Sequence, residues 1–69
     1  MHGQKRHYHD AMGRTAYITR LRKGTVWTLA IRETSGHLDV VSRHRTKEAA
    51  YAALRASGDW EGVPAPGEE

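Results

Sequence analysis

The alternation of apolar and polar residues predicts three β-strands in the middle of the chain. They correspond to residues 14–22, 25–33 and 37–43. The second run alternates most clearly, because Trp27, Leu29 and Ile31 point to one side of an extended chain. Gly24 and Gly36 end the short segments between the runs, as is typical of hairpin turns. The pattern therefore predicts a three-stranded antiparallel meander.

A helix is predicted after the third strand. Thr46 is a suitable N-cap, Glu48 lies in the first turn where the helix dipole favours an acid, and Gly58 is suited to end the helix. The apolar stripe at helical spacing consists of Ala49, Ala50, Ala53 and Leu54. We expect this stripe to lie close against the Trp27 face of the sheet, with Trp60 closing one end of the core. The predicted fold is α+β, a three-stranded antiparallel β-sheet packed on one C-terminal α-helix in the order β-β-β-α.

The two ends of the chain lack this patterning. Residues 1–13 carry Lys5, Arg6 and three histidines without periodicity, which indicates a flexible basic arm. Residues 61–69 hold both prolines and three acids and are expected to form a disordered acidic tail, which leaves 14–60 as the folded domain. The absence of cysteine excludes disulfides and thiolate ligands. No apolar stretch resembles a signal peptide or a membrane span, so we expect a cytoplasmic location.

Charge is distributed unevenly along the chain. Residues 1–47 hold ten of the eleven Lys and Arg residues but three of the eight Asp and Glu residues, which gives this segment a formal charge of +7. The remaining segment has a charge of −4, in agreement with the net charge of +3. The positive part of such a surface would attract a polyanion electrostatically. The distribution favours a nucleic acid as partner, although a solvated cationic surface without a specific function has the same composition.

One helix covers one face of such a sheet, which leaves the other face for solvent or a partner. The residues assigned to the core are Tyr17, Thr19 and Leu21 of the first strand and Leu38 and Val40 of the third. In the first strand Ile18 competes with Tyr17 for the core, and a slip of one residue would invert the assignment.

The exposed face, the first turn and the start of the helix then present a cationic set of side chains. The predicted nucleic-acid-binding residues are Arg20, Arg22, Lys23, Thr28, Arg32, Arg43, Arg45 and Lys47. Arginine can reach phosphates and guanine edges, and the small Thr28 allows close approach of the bases. A basic arm before the sheet could follow the nucleic-acid backbone.

Three features follow one another along the chain: a glycine-led second strand with a central Trp27, a turn ending in Gly36, and a helix start at 46–50. In this order they resemble the N-terminal arm-type DNA-binding domain of tyrosine recombinases (phage and transposon integrases). The resemblance spans about residues 14–57. It implies a sheet that enters the DNA major groove with a helix behind it. It puts Arg20, Arg22, Thr28, Arg32 and Arg43 on the DNA-facing side. Since no recombinase catalytic domain fits within 69 residues, the implied function is a non-catalytic module that binds double-stranded DNA, either stand-alone or as an excised piece of a larger protein.

Other chemistries were weighed against this function. His7 and His9 beside Asp10 would share one side of an extended segment, as a zinc or nickel site can use, but the segment resembles a flexible arm. We therefore predict no metal site and no cofactor. His37 with Arg43 could serve a small ribonuclease, but we assign no catalytic residue. The alternative from another class is a protein-interaction module that docks on an acidic protein surface. The oligomeric state and the choice between DNA and RNA stay open.

Overall fold

A computed structural model describes residues 4–20 and 24–69 of the chain. The elements are β1 Gln4–His9, β2 Thr15–Arg20, β3 Trp27–Arg32, β4 Leu38–His44 and α1 Lys47–Ser57. The strands form one antiparallel sheet in the order β1-β2-β3-β4, and α1 packs across β2, β3 and β4. The predicted α+β architecture, an antiparallel meander followed by one C-terminal helix, is confirmed. The predicted strand number was wrong, because the sheet has four strands instead of three.

The core lies between α1 and one face of the sheet. Its buried members are Ala16, Ile18, Leu29, Ile31, Ala50, Tyr51, Leu54 and Trp60. The inward direction of Leu29 and Ile31, the burial of Leu54 and the closing role of Trp60 agree with the sequence. Ala50 is fully buried, and its small side chain lets the helix approach the sheet closely.

The helix begins where its local sequence predicts. The side-chain oxygen of Thr46 accepts a hydrogen bond from the backbone N–H of Ala49 at 3.1 Å, which satisfies one of the free donors of the first turn. Glu48 lies in the first turn and Arg55 in the last, and both charges complement the helix dipole. The helix ends at Ser57, immediately before Gly58.

Residues 4–9, predicted to belong to a flexible arm, form the edge strand β1. The strand pairs with β2 along its whole length, and its backbone hydrogen bonds need no apolar periodicity in the sequence. Tyr8 points toward the helix, and its hydroxyl oxygen lies 2.8 Å from that of Tyr51. The two rings meet edge to face, with their centroids 5.9 Å apart. One tyrosine therefore anchors a strand that is otherwise made of polar residues.

A tight turn joins β1 to β2 and depends on one carboxylate. Asp10 Oδ1 accepts the backbone N–H of Arg14 at 2.8 Å, and Oδ2 accepts the side-chain Nε–H of Arg14 at 2.7 Å. Gly13 takes a φ of +86°, a conformation that other residues rarely adopt. Asp10 also forms an isolated bridge with Trp60, which fixes this turn to the closed end of the core.

Residues 61–69, predicted to be a disordered tail, contact the rest of the domain. Arg55 donates to the backbone oxygen of Pro64 at 2.7 Å, and its Nη2 lies 3.1 Å from Glu69 Oε2. Val63 is half-buried against the core cluster. These contacts hold Glu69 of the tail against the helix.

The facing of β2 is the reverse of the prediction. Ala16 and Ile18 are buried under α1, and Arg20 lies on the same side, whereas Tyr17 and Thr19 face away from the helix. Both phases of this strand contain apolar residues, so alternation alone does not choose between them. Packing against the helix favours the strand phase in which the small Ala16 and the purely apolar Ile18 lie beneath the helix.

The facing of β4 also differs from the prediction. Leu38 lies opposite Arg32 and Val40 opposite Ala30, and opposite residues of an antiparallel pair share a face, so both point away from the helix. The register shifts between Leu29 and Ala30, and this bulge returns Arg43 to the same face, opposite Thr28. Leu38 and Val40 are thus about half exposed instead of buried.

Candidate nucleic-acid interface

The face of the sheet that the helix leaves uncovered is referred to below as the open face. Its described side chains are His7 and His9 of β1, Thr15, Tyr17 and Thr19 of β2, Thr28, Ala30 and Arg32 of β3, and Leu38, Val40 and Arg43 of β4. The strands hold these side chains at fixed spacing, and the residues at the centre are small. The result is a broad platform with aromatic groups at one side and arginines at the other.

The centre of the open face is a shallow depression of about 260 Å³. It is lined by Tyr17, Thr19, Thr28, Ala30, Arg32, Leu38 and Val40. The Arg32 guanidinium lies over the Tyr17 ring, 5.5 Å from the ring centroid, in a cation–π arrangement. The Tyr17 ring is also 6.2 Å from that of His7 on the neighbouring strand. A planar ligand group would meet a stacked arginine–tyrosine pair at this place.

No Asp or Glu occurs among the open-face side chains that the structure describes. Three acids are instead paired elsewhere. Asp10 pairs with Arg14 in the first turn, Asp39 with His37 beside β4, and Glu69 with Arg55 on the helix. The positive charge of Arg32 and Arg43 is therefore not offset by a carboxylate on the same face.

The pKa shifts agree with this separation of charge. Burial opposes the ionisation of Asp10, but the hydrogen bonds and the charge of Arg14 outweigh it and lower the pKa of Asp10. The carboxylate thus remains ionised and bound to Arg14 at neutral pH. On the helix side, burial and the hydrogen bond with Tyr8 raise the pKa of the Tyr51 hydroxyl above its ordinary range.

The structure divides the predicted binding residues into four groups. Thr28, Arg32 and Arg43 lie on the open face, as predicted. Arg20 lies on the helix side, where its guanidinium is 5.3 Å from the centroid of the Trp27 ring, so its placement on the open face was wrong.

The other predicted residues lie away from the platform or beyond the described residues. Arg45 and Lys47 flank the N-cap of α1, where Arg45 is exposed and Lys47 is half-buried. Arg22 and Lys23 lie outside the described residues.

Several open-face side chains were not expected there. They are His7, His9, Tyr17, Thr19, Leu38 and Val40. A signal for the two histidines was present, since residues two apart share a face of any strand. The signal was recognised but set aside, because the segment was taken to be an arm without regular structure.

The histidine–arginine pair considered for a ribonuclease is not brought together. His37 Nε2 lies 2.8 Å from Asp39 Oδ1, so this histidine pairs with an acid and not with Arg43. His37 precedes β4 and Arg43 lies near its other end, a separation of about 20 Å along an extended strand. One substrate phosphate could not contact both groups.

Within 4–20 and 24–69 no three His, Asp or Glu side chains are grouped to hold a metal ion, and no helix of these segments has the length and apolar character needed to cross a membrane. Comparison with protein-family models, curated proteins and solved structures finds no match. The resemblance to the integrase arm-type domain therefore stays a prediction made from the sequence.

Proposed function

We propose that this protein is a nucleic-acid-binding module that uses the open face of its sheet. The observation that carries the proposal is the combination of Arg32, Arg43 and the Tyr17 ring on a face whose described side chains include no acid. Arginines contact phosphates, and a guanidinium or an aromatic ring provides a surface on which a base can stack. Because the side chains of Thr28 and Ala30 are small, a base can approach the centre of the face closely.

The fourth strand changes which nucleic acid we favour. Four strands spaced about 4.8 Å apart span about 14 Å between the outer strand axes, whereas the major groove of B-DNA is about 12 Å wide. A three-stranded sheet fits such a groove more easily than this one. A single strand of DNA or RNA needs no groove and can lie across the platform, with its bases against the Arg32–Tyr17 pair. We therefore favour single-stranded nucleic acid over the duplex expected from the sequence.

The direct test is fluorescence anisotropy with labelled oligonucleotides of one length, as single-stranded DNA, single-stranded RNA and duplex DNA. We expect single strands to bind more tightly than the duplex, with an affinity that falls linearly in the logarithm of salt concentration. Arg32→Gln and Arg43→Gln should each weaken binding about tenfold, since a stacking or phosphate contact contributes about 1–3 kcal/mol. Arg6→Gln is the matched control, because Arg6 is exposed on β1 opposite Ile18 and thus on the helix side.

Each outcome of this test has a defined meaning. Equal losses in Arg6→Gln and Arg32→Gln would mean that net charge, and not the open face, attracts the oligonucleotide. Tighter binding of the duplex would restore the groove-binding expectation. Absence of binding at low salt would contradict the proposal.

A protein partner is the second candidate, and the exposed apolar residues of β4 favour it. Leu38, Val40 and Val41 are each about half exposed on an edge strand that no other described strand covers. An added strand from an acidic partner could pair with this edge. Leu38→Ser with Val40→Ser should then abolish partner binding, with little dependence on salt, whereas nucleic-acid binding through the arginines should persist.

A further inference from the structure

His7 and His9 are held side by side on the open face at the edge of the sheet. They are two residues apart on β1, so their side chains share a face, and both are exposed. Their ring centroids are 5.7 Å apart and the rings are inclined at 67°. Because β1 is paired with β2 throughout, the backbone holds the two residues at a fixed spacing. The segment is therefore a paired strand and not a flexible arm.

The spacing matches that of two imidazoles bound to one metal ion. With metal–nitrogen distances of about 2.0–2.1 Å and a tetrahedral angle, the two ring centroids would be about 5.4 Å apart. The observed 5.7 Å is close to that distance. The paired backbone holds the two residues at this spacing, and rotation of the exposed side chains would aim one nitrogen of each ring at a shared ion.

A third residue orients one of the imidazoles. His9 Nδ1 lies 3.2 Å from the hydroxyl oxygen of Thr15, its direct partner on β2. When Nδ1 carries the proton it donates to that oxygen, and the lone pair of Nε2 is left for a metal. Hydrogen bonding of the second ring nitrogen is the usual support of a metal-binding histidine. Asp10 is not available as a further ligand, because both of its carboxylate oxygens are engaged with Arg14.

We infer that His7 and His9 form a binding site for a divalent transition-metal ion of the zinc, nickel and copper class, with water completing the coordination. Imidazole nitrogen suits these ions, whereas magnesium and calcium require oxygen ligands. Two ligands on a rigid strand act as a chelate, so either imidazole alone binds much more weakly. This inference rests on β1 and does not depend on nucleic-acid binding.

Isothermal titration calorimetry of the full chain with zinc chloride tests the site. We expect one Zn²⁺ per chain, with the affinity reduced at least about tenfold in His7→Ala and in His9→Ala. His37→Ala is the matched control, because it removes an exposed imidazole outside β1, and it should change the affinity less than about twofold. Circular dichroism should show that each variant keeps the wild-type fold, since these side chains are exposed.

A second variant separates a built site from adventitious binding to histidines. Thr15→Val removes the hydroxyl that orients His9 but leaves both imidazoles, and it should weaken Zn²⁺ binding up to about tenfold. In an NMR titration, the imidazole resonances of His7 and His9 should shift before those of His37 and His44. Wild-type affinity in His7→Ala and His9→Ala, or an equal loss in His37→Ala, would overturn the assignment.

Discussion

The hydroxyl pair between Tyr8 and Tyr51 provides a sharp test of the fourth strand. In Tyr8→Phe the ring is kept, but the Tyr51 hydroxyl loses the partner that lies 2.8 Å away. Tyr51 is 2% exposed, so water cannot replace that partner. Leaving a buried hydroxyl unpaired costs about 1–3 kcal/mol. A chain of this length has a free energy of unfolding of about 3–10 kcal/mol, so the loss is a substantial fraction of the total.

The assay is urea denaturation followed by circular dichroism. With a slope of about 1 kcal/mol per molar urea, typical of small domains, the midpoint of Tyr8→Phe should fall by about 1–3 M. Tyr51→Phe should cost less, because the half-buried Tyr8 left behind can bond to water. The double variant should lose less than the sum of the single variants, since it leaves no unpaired buried hydroxyl. An unchanged midpoint in Tyr8→Phe would refute the docking of β1 and return residues 4–9 to a flexible arm.

Three further predictions concern the core, the helix start and the first turn. Leu54→Ala should lower the free energy of unfolding by about 2–5 kcal/mol in urea titration, because the leucine is fully buried, and a loss below about 1 kcal/mol would contradict this packing. Thr46→Ala should cost about 1 kcal/mol by removing the bond from Ala49 N–H, which should lower Tm by about 4–8 °C; an unchanged Tm would argue against the cap. Asp10→Asn should be less stable than wild type at neutral pH. Because the folded-state pKa of Asp10 lies below the unfolded-state value of about 4, this difference should begin to shrink as the pH falls through about 4 and disappear once the pH is below the folded-state pKa. A difference that does not shrink on acidification would exclude the charge of Asp10 as its cause.

The sequence predicted those elements that depend on local signals. Thr46 starts the helix through its cap, Gly58 directly follows the last helical residue, and the alternation of Trp27, Leu29 and Ile31 indicates the inward side of β3. Both signals lie within a few residues along the chain. Such local signals therefore do not depend on how the rest of the chain packs.

What the sequence did not predict depends on contacts between distant segments. The phase of β2 depends on whether Ala16 or Tyr17 fits under the helix, and alternation does not encode this. The facing of β4 depends on its register with β3 and on a bulge. The formation of β1 as an ordered strand depends on the contact between Tyr8 and Tyr51, a residue 43 positions away. Because of these three features, Arg20 lies on the helix side and not on the open face as predicted, whereas the two histidines of β1 lie on the open face.

The central claim is that nucleic acid binds the open face of the sheet, and an NMR titration of isotope-labelled protein with a single-stranded oligonucleotide tests it most directly. We predict chemical-shift changes at Tyr17, Thr28, Arg32 and Arg43 at low salt, which fade as the salt concentration rises. The exposed helix residue Ala52 should remain unshifted. Shifts confined to the helix, or none at low salt, would contradict the account.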